Sequence, residues 1–189
     1  MSLKDYKFYL IAGGFAFFSW WLARITGLDD LYRTALPPHS PDYYSKGYTK
    51  WQMDATGKLS SKLTAEKMVH YSDDLTTHAV NPLMYFFNQT TPPWIVQSET
   101  SILSADGKDL FLNGKVHVHR DHAEGASELT INTFNLKVKP ETSYAETTEW
   151  AELLNPPNVT TGTGMKMVFV EPIYVELLSN VKGRYETKK

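Results

Sequence analysis

At 189 residues, 42% hydrophobic and 21% charged, the chain is long enough for one core of ordinary size plus an appendage, and too short for two large enzyme domains. A net charge of -2 with no basic stripe interleaved with aromatics argues against nucleic acid as a partner, and the absence of cysteine excludes disulfides and thiolate metal sites. Aromatics at 13%, with Tyr and Thr prominent, favour pleated, half-buried strands.

Residues 1–7 read as a short cytoplasmic N-terminus and 8–25 as a transmembrane helix. From Phe8 to Ala23 there is no charge, with Lys4 and Lys7 before the run and Arg24 after it. About 16 residues at ~1.5 Å rise cover ~24 Å of a ~30 Å hydrocarbon core, and Ile25 with a snorkelling Arg24 extends that reach. Tyr6 and Tyr9 at one end and Trp20 and Trp21 at the other stand where interfacial aromatic belts are placed. A cleaved signal peptide has the same basic-then-apolar order, but Trp21-Leu22-Ala23 puts a bulky side chain where cleavage wants a small one. Lys4, Lys7 and the α-amino group outweigh Arg24, which places the N-terminus in the cytoplasm and the rest of the chain in the periplasm. Ala12, Gly13 and Ala16 form a small-residue stripe suited to docking another transmembrane helix, although small residues are common in any spanning helix.

Residues 26–46 read as a Pro-rich linker, since Pro37, Pro38 and Pro41 bias the chain toward extended conformations. From 47 to 186 the sequence becomes a series of short alternating runs divided by turn signals, the pattern of antiparallel strands, and 187–189 are a tail. The clearest run spans Asp109 to Arg120: Leu110, Leu112, Val116 and Val118 share one face and Lys115, His117 and His119 the other, with Asn113-Gly114 allowing the positive φ of a turn or bulge. Leu129, Ile131 and Thr133 alternate likewise, as do Leu136 with Val138, Trp94 with Val96, and Met165 with Met167. A loose repeat at a shift of about 33 to 35 residues aligns Ala65, Ser98 and Thr133, and also Ser72-Asp73, Ala105-Asp106 and Pro140-Glu141. A stack of such β units predicts facing sheets around one apolar channel, with open edges at its terminal strands.

Sites for chemistry are weak. His117, His119 and His122 are grouped but lie opposite the apolar face and run into a loop, so solvated histidines are expected and no metal site. Glu141, Glu146, Glu149 and Glu152 read as surface charge and not as an acid/base pair. Thr161 to Lys166 lacks the first spacing of a phosphate loop and no helix follows it. No enzyme and no cofactor are expected.

In Leu59-x-x-x-Leu63-x-Ala65, Tyr71-Ser72-Asp73, Asn81-Pro82-Leu83, Pro93-Trp94-x-Val96, Leu110-x-Leu112-x-Gly114-x-Val116-x-Val118 and Gly164-Met165-Lys166-Met167 the chain resembles the LptC family, the bitopic components of the lipopolysaccharide export system. The resemblance implies an all-β fold, a twisted open antiparallel jellyroll (β-taco) behind one N-terminal transmembrane helix. It implies a bacterial inner-membrane protein that receives lipopolysaccharide from the ABC transporter and passes it to the periplasmic bridge protein LptA. The transporter would meet the N-terminal edge and the helix; LptA would meet the C-terminal edge.

Carried over by position, the lipid-binding groove comprises Tyr48, Trp51, Met53, Leu83, Tyr85, Val96, Leu112, Val116, Val118, Ile131, Val138, Met167, Val175 and Tyr185. The same residues would equally serve as packed core, making the chain a membrane-tethered scaffold that only docks partners. The run Leu153-Leu154-Asn155-Pro156-Pro157 departs from the family pattern and leaves the register of the C-terminal strands open, since prolines cannot donate to a central ladder.

Overall fold

The computed structural model describes residues 3–25, 39–88 and 91–186. The linker expected over 26–38 and the tail 187–189 lie outside the described residues. The chain divides into one unit up to Ser40 and a second from Pro41 onward.

The first unit contains α1 (Leu3–Ile25), which starts upstream of the expected span and takes Lys4, Asp5 and Lys7 into the helix. Side chains such as Ile11, Phe15, Phe18 and Trp20 are exposed on it. The expected transmembrane span over 8–25 is corrected here: among the described residues, no helix is long and apolar enough to cross a membrane.

The second unit is one antiparallel sheet of ten strands: β1 (Pro41–Met53), β2 (Leu59–Tyr71), β3 (Thr77–Val80), β4 (Leu83–Phe86), β5 (Trp94–Leu103), β6 (Leu110–Arg120), β7 (Leu129–Lys139), β8 (Tyr144–Asn155), β9 (Asn158–Val168) and β10 (Tyr174–Arg184). β1 begins at Pro41, so residues 41–46, expected as linker, are strand. Neighbours in the sheet follow chain order, except that β3 and β4 lie end to end between β2 and β5. Pro156 and Pro157 form the turn between β8 and β9, whose ladder runs from Tyr144–Val168 to Asn155–Asn158. They remove no ladder donor there, which resolves the register left open by the sequence.

Turn chemistry sets the hairpins. Asp54 accepts hydrogen bonds from the backbone N–H groups of Thr56 (2.8 Å) and Lys58 (3.0 Å), closing the β1–β2 turn, where Gly57 has φ 82°. Asp106 does the same between β5 and β6, accepting from Ser104 Oγ (2.7 Å) and Lys108 N (3.1 Å). These bonds favour the carboxylate form, and the strongest, from the Thr56 and Ser104 hydroxyls, hold Asp54 and Asp106 below the usual carboxylate range.

A line of irregularities crosses the sheet at mid-strand. Asn81-Pro82 separates β3 from β4, and every pairing from β5–β6 to β9–β10 slips register there: between Ser98 and Thr100, Leu112 and Lys115, Thr133 and Lys137, Thr147 and Trp150, and Ser179 and Lys182. Gly114 (φ 77°), Asn135 (φ 48°) and Gly164 (φ 73°) supply left-handed backbone on this line. Carbonyls displaced from the ladder are met by hydroxyls: Thr133 Oγ1 donates to Trp150 O and Thr147 Oγ1 to Phe134 O, both at 2.8 Å, and Ser98 Oγ to Thr100 O at 3.0 Å. That accounts for buried Ser98, Thr133 and Thr147 among otherwise apolar residues.

The bulges fold the sheet on itself along this seam. In a flat sheet, Trp94 on β5 and the end of β9 would lie four strands, or ~19 Å, apart. Instead Trp94 Nε1 donates to Phe169 O at 3.0 Å and the Phe86 and Phe169 rings stand 5.8 Å apart. The result is two layers continuous through the seam, with unpaired outer edges on β1 and β10 among the described strands.

Candidate functional site

The inner faces of the two layers make one apolar cluster. From one half come Met84, Trp94, Val96, Val116, Val118, Ile131 and Ala151; from the other come Leu110, Leu112, Leu136, Val138, Ala145, Met165 and Met167. Leu112, Ile131 and Met165 are 0% exposed. Register shows why these residues converge, since paired residues share a face: Leu63, Met84, Val96, Val118, Ile131 and Leu153 are successive partners across six strands.

Of the groove residues expected from the sequence, Val96, Leu112, Val116, Val118, Ile131, Val138 and Met167 are buried in this cluster, and Val175 packs against it half-buried. Tyr48 is half-buried and shares the inner face with its partner Ala65. The other five placements are corrected. Leu83 and Tyr85 lie on the outer face, because their neighbours Met84 and Phe86 face inward and strand side chains alternate. Trp51 pairs with outward Lys62, whose ammonium sits 4.5 Å from the indole centre. Met53 (55% exposed) and Tyr185 (71% exposed) stand in the open at the ends of the edge strands.

Sequence reasoning left Met84, Phe86, Leu110, Leu136 and Phe169 out of the groove. Leu83 to Phe86 is apolar at all four positions, so alternation cannot say which pair faces in; Phe169 lies beyond the end of β9. Trp94 and Met165 carried an alternation signal and belonged with the set.

Little empty space remains inside. The cavity between Phe86, Trp94, Val96, Val118 and Ile131 on one layer and Leu136, Val138, Met165, Met167 and Phe169 on the other has about 30 Å³ free. A larger concavity of about 440 Å³ lies along the seam, lined by polar Asn81, Gln97, Glu99, Lys115, His117 and Asn132 with Phe134 and Trp150. His117 is engaged there with Asn132 Oδ1 at 2.8 Å, and His119 with Thr130 Oγ1 (2.8 Å) and Asp121 (2.9 Å). Among the carboxylates weighed as acid/base groups, Glu152 accepts from Asn132 Nδ2 and Glu146 from Tyr144 OH, both at 2.9 Å. Burial, with help from Glu146, pushes the Tyr144 phenol up.

A family model described as "Lipopolysaccharide-assembly, LptC-related" matches residues 8–186, nearly the whole chain. The chain belongs to the LptC-related family. It is therefore a member of a lipopolysaccharide-transport family and not of an enzyme family. The crystal structure of LptH, described as the LptA-homologous periplasmic component of the conserved lipopolysaccharide transport device from Pseudomonas aeruginosa, is similar over 77% of this chain and 94% of that one, at 7% identity and a TM-score of 0.47. No curated protein sequence matches this LptC-related chain.

Proposed function

We propose that this chain carries lipopolysaccharide through the periplasm as an open β-jellyroll held at the inner membrane, receiving it from the ABC transporter and handing it to LptA. The observation that carries this reading is the folded sheet. Two layers enclose an apolar interior, and their outer edges, β1 and β10, are long and unpaired among the described strands. Exposed strand edges normally invite aggregation unless a partner covers them. β1 exposes Tyr44, Trp51 and Met53, and β10 exposes Leu178 and Val181, which suits strand addition by a protein partner at each end. Family membership supplies lipopolysaccharide and its transport components as the partners.

Acyl chains would lie between Val96, Val118 and Ile131 on one side and Val138 and Met167 on the other, drawn by the same burial of ~25 cal/mol per Å² that packs side chains. The helix Leu3–Ile25, with its exposed aromatic and aliphatic side chains, would hold the domain at the membrane surface, and its small residues Ala12, Gly13 and Ala16 would let a partner helix approach closely. Alkaline extraction separates an integral helix, which stays with the membrane pellet, from a peripheral one, which is released.

Photo-crosslinking tests the central claim. A crosslinker placed at Val118 or Ile131 should capture labelled lipopolysaccharide in cells exporting it, whereas one at outward Lys62 should not. Failure at both inner positions in active cells would favour the scaffold role, in which the packed interior never admits lipid.

A further inference from the structure

The interior has little room for the acyl chains proposed to enter it. About 30 Å³ is free between the layers, room for a water or two and not for an acyl chain. An acyl chain therefore needs the layers to part. They are joined through the strands along the seam, so they can separate only at the opposite margin, the mouth.

Besides the Phe86–Phe169 ring contact, two polar side-chain contacts cross the mouth among the described residues. One is the bond from Trp94 Nε1 to Phe169 O at 3.0 Å, and the other is the ion pair of Arg120 Nη1 with Glu171 Oε1, also 3.0 Å. The partners in that pair are unequal: the Arg120 side chain is 5% exposed and that of Glu171 46%. The guanidinium lies 4.7 Å from the centre of the Trp94 ring, and its Nη2 donates to Ser127 O at 3.1 Å. Its Nε is buried and has no hydrogen-bond partner.

A guanidinium presents a rigid fork of donors that fits two oxygens of one carboxylate or phosphate. Here Nη1 and Nη2 are taken by Glu171 and Ser127, and the buried Nε–H left unmatched costs about 1–3 kcal/mol of desolvation. The position is also suggestive, because the fork sits where the apolar interior meets solvent, the level at which an amphiphile with buried tails holds its head.

On the reading that acyl chains enter the interior, we propose that Arg120 is the headgroup site for an anionic amphiphile at the mouth, and that Glu171 is its internal stand-in, closing the layers until a ligand phosphate or carboxylate takes its place. Exchange releases Glu171 to water and removes one of the two polar contacts that hold the layers together at the mouth. The interior is thereby opened by the group that is attached to the chains it must admit.

The test uses the full chain in phosphatidylcholine nanodiscs with a benzophenone crosslinker at Phe86, which pairs with Trp94 at the mouth. Radiolabelled hexadecyl phosphate and hexadecanol share a tail and differ in charge. The phosphate should label Phe86 about tenfold better than the alcohol, the factor a charge-assisted bond supplies. Glu171→Gln should raise phosphate labelling more than alcohol labelling; Arg120→Gln should erase the preference, and Arg120→Lys should keep part of it. Because Glu171 is exposed, its variant decides the matter even where loss of Arg120 prevents folding. Equal labelling by both probes with no effect of Glu171→Gln overturns the headgroup site while leaving lipid carriage intact. Absence of labelling by either probe in every variant overturns both. Displacement by inorganic phosphate would show a site for a free anion and likewise overturn the assignment to an amphiphile.

Discussion

Gly114 donates its backbone N–H to the side-chain oxygen of Asn135 in the neighbouring strand at 3.1 Å, and both residues have positive φ, 77° and 48°. The pair spans the seam where β6 and β7 slip register, so one side chain repairs the ladder that the bulge breaks. Gly114→Ala should cost about 1–2 kcal/mol from the left-handed backbone alone. The added methyl would also meet the Glu99 side chain, which is exposed and can move aside. Urea unfolding measures this, and an unchanged midpoint would remove the strained seam from the account.

The seam hydroxyls give a second measure of the fold line. Thr147 Oγ1 both donates to Phe134 O and accepts from the Glu149 N–H at 3.1 Å. Thr147→Val keeps the shape and leaves both backbone groups without that partner, so a loss of about 1–3 kcal/mol is expected. Exposed Thr148→Val should stay within about 0.5 kcal/mol.

Alternation in β4 yields a direct comparison of faces. Met84→Ala removes a buried side chain from the cluster and should destabilise by about 2–5 kcal/mol. Tyr85→Ala, on the outer face, should cost about 1 kcal/mol or less. The reverse order in thermal or urea unfolding would mean that β4 presents the opposite face to the interior.

Asp42 and His70 fasten the start of β1 to β2. Their Oδ1 and Nδ1 atoms are 2.8 Å apart, and the His70 ring stacks on Tyr43 at 4.6 Å. The hydrogen bond from His70, above all, holds the Asp42 carboxyl below its ordinary 3.8. A depressed carboxylate contributes stability above its unfolded pKa and loses it as pH falls through the folded one. The start of β1 should thus loosen only below the ordinary carboxylate range, seen as faster amide exchange at Tyr43 and Tyr44. NMR titration should place Asp42 below 3.8, and His70→Phe should return it toward that value; an unaltered titration in that variant would assign the shift to another group.

The sequence alone determined what depends on neighbours along the chain. Period-two alternation in Leu110 to Val118, in Leu129 to Thr133 and in Trp94 to Val96 set the strands and their faces, and Asn113-Gly114 marked a place for positive φ. The loose repeat had a physical basis as well: Ala65, Ser98 and Thr133 are buried on the inner face near the seam, while Ser72-Asp73, Ala105-Asp106 and Pro140-Glu141 occupy or adjoin turns. Tertiary structure alone decided how much of the apolar face stays open. Whether Leu112, Ile131 and Met165 line a groove or fill a core depends on the closeness of residues many strands apart, which no local period encodes. The face of Leu83 to Phe86 was settled by pairing with β2 and β5, because four apolar residues in a row carry no alternation. The clasp of Trp94 on Phe169 and Arg120 on Glu171 joins positions 75 and 51 residues apart. It exists because several small bulges, each a local event, add up to a fold in the whole sheet.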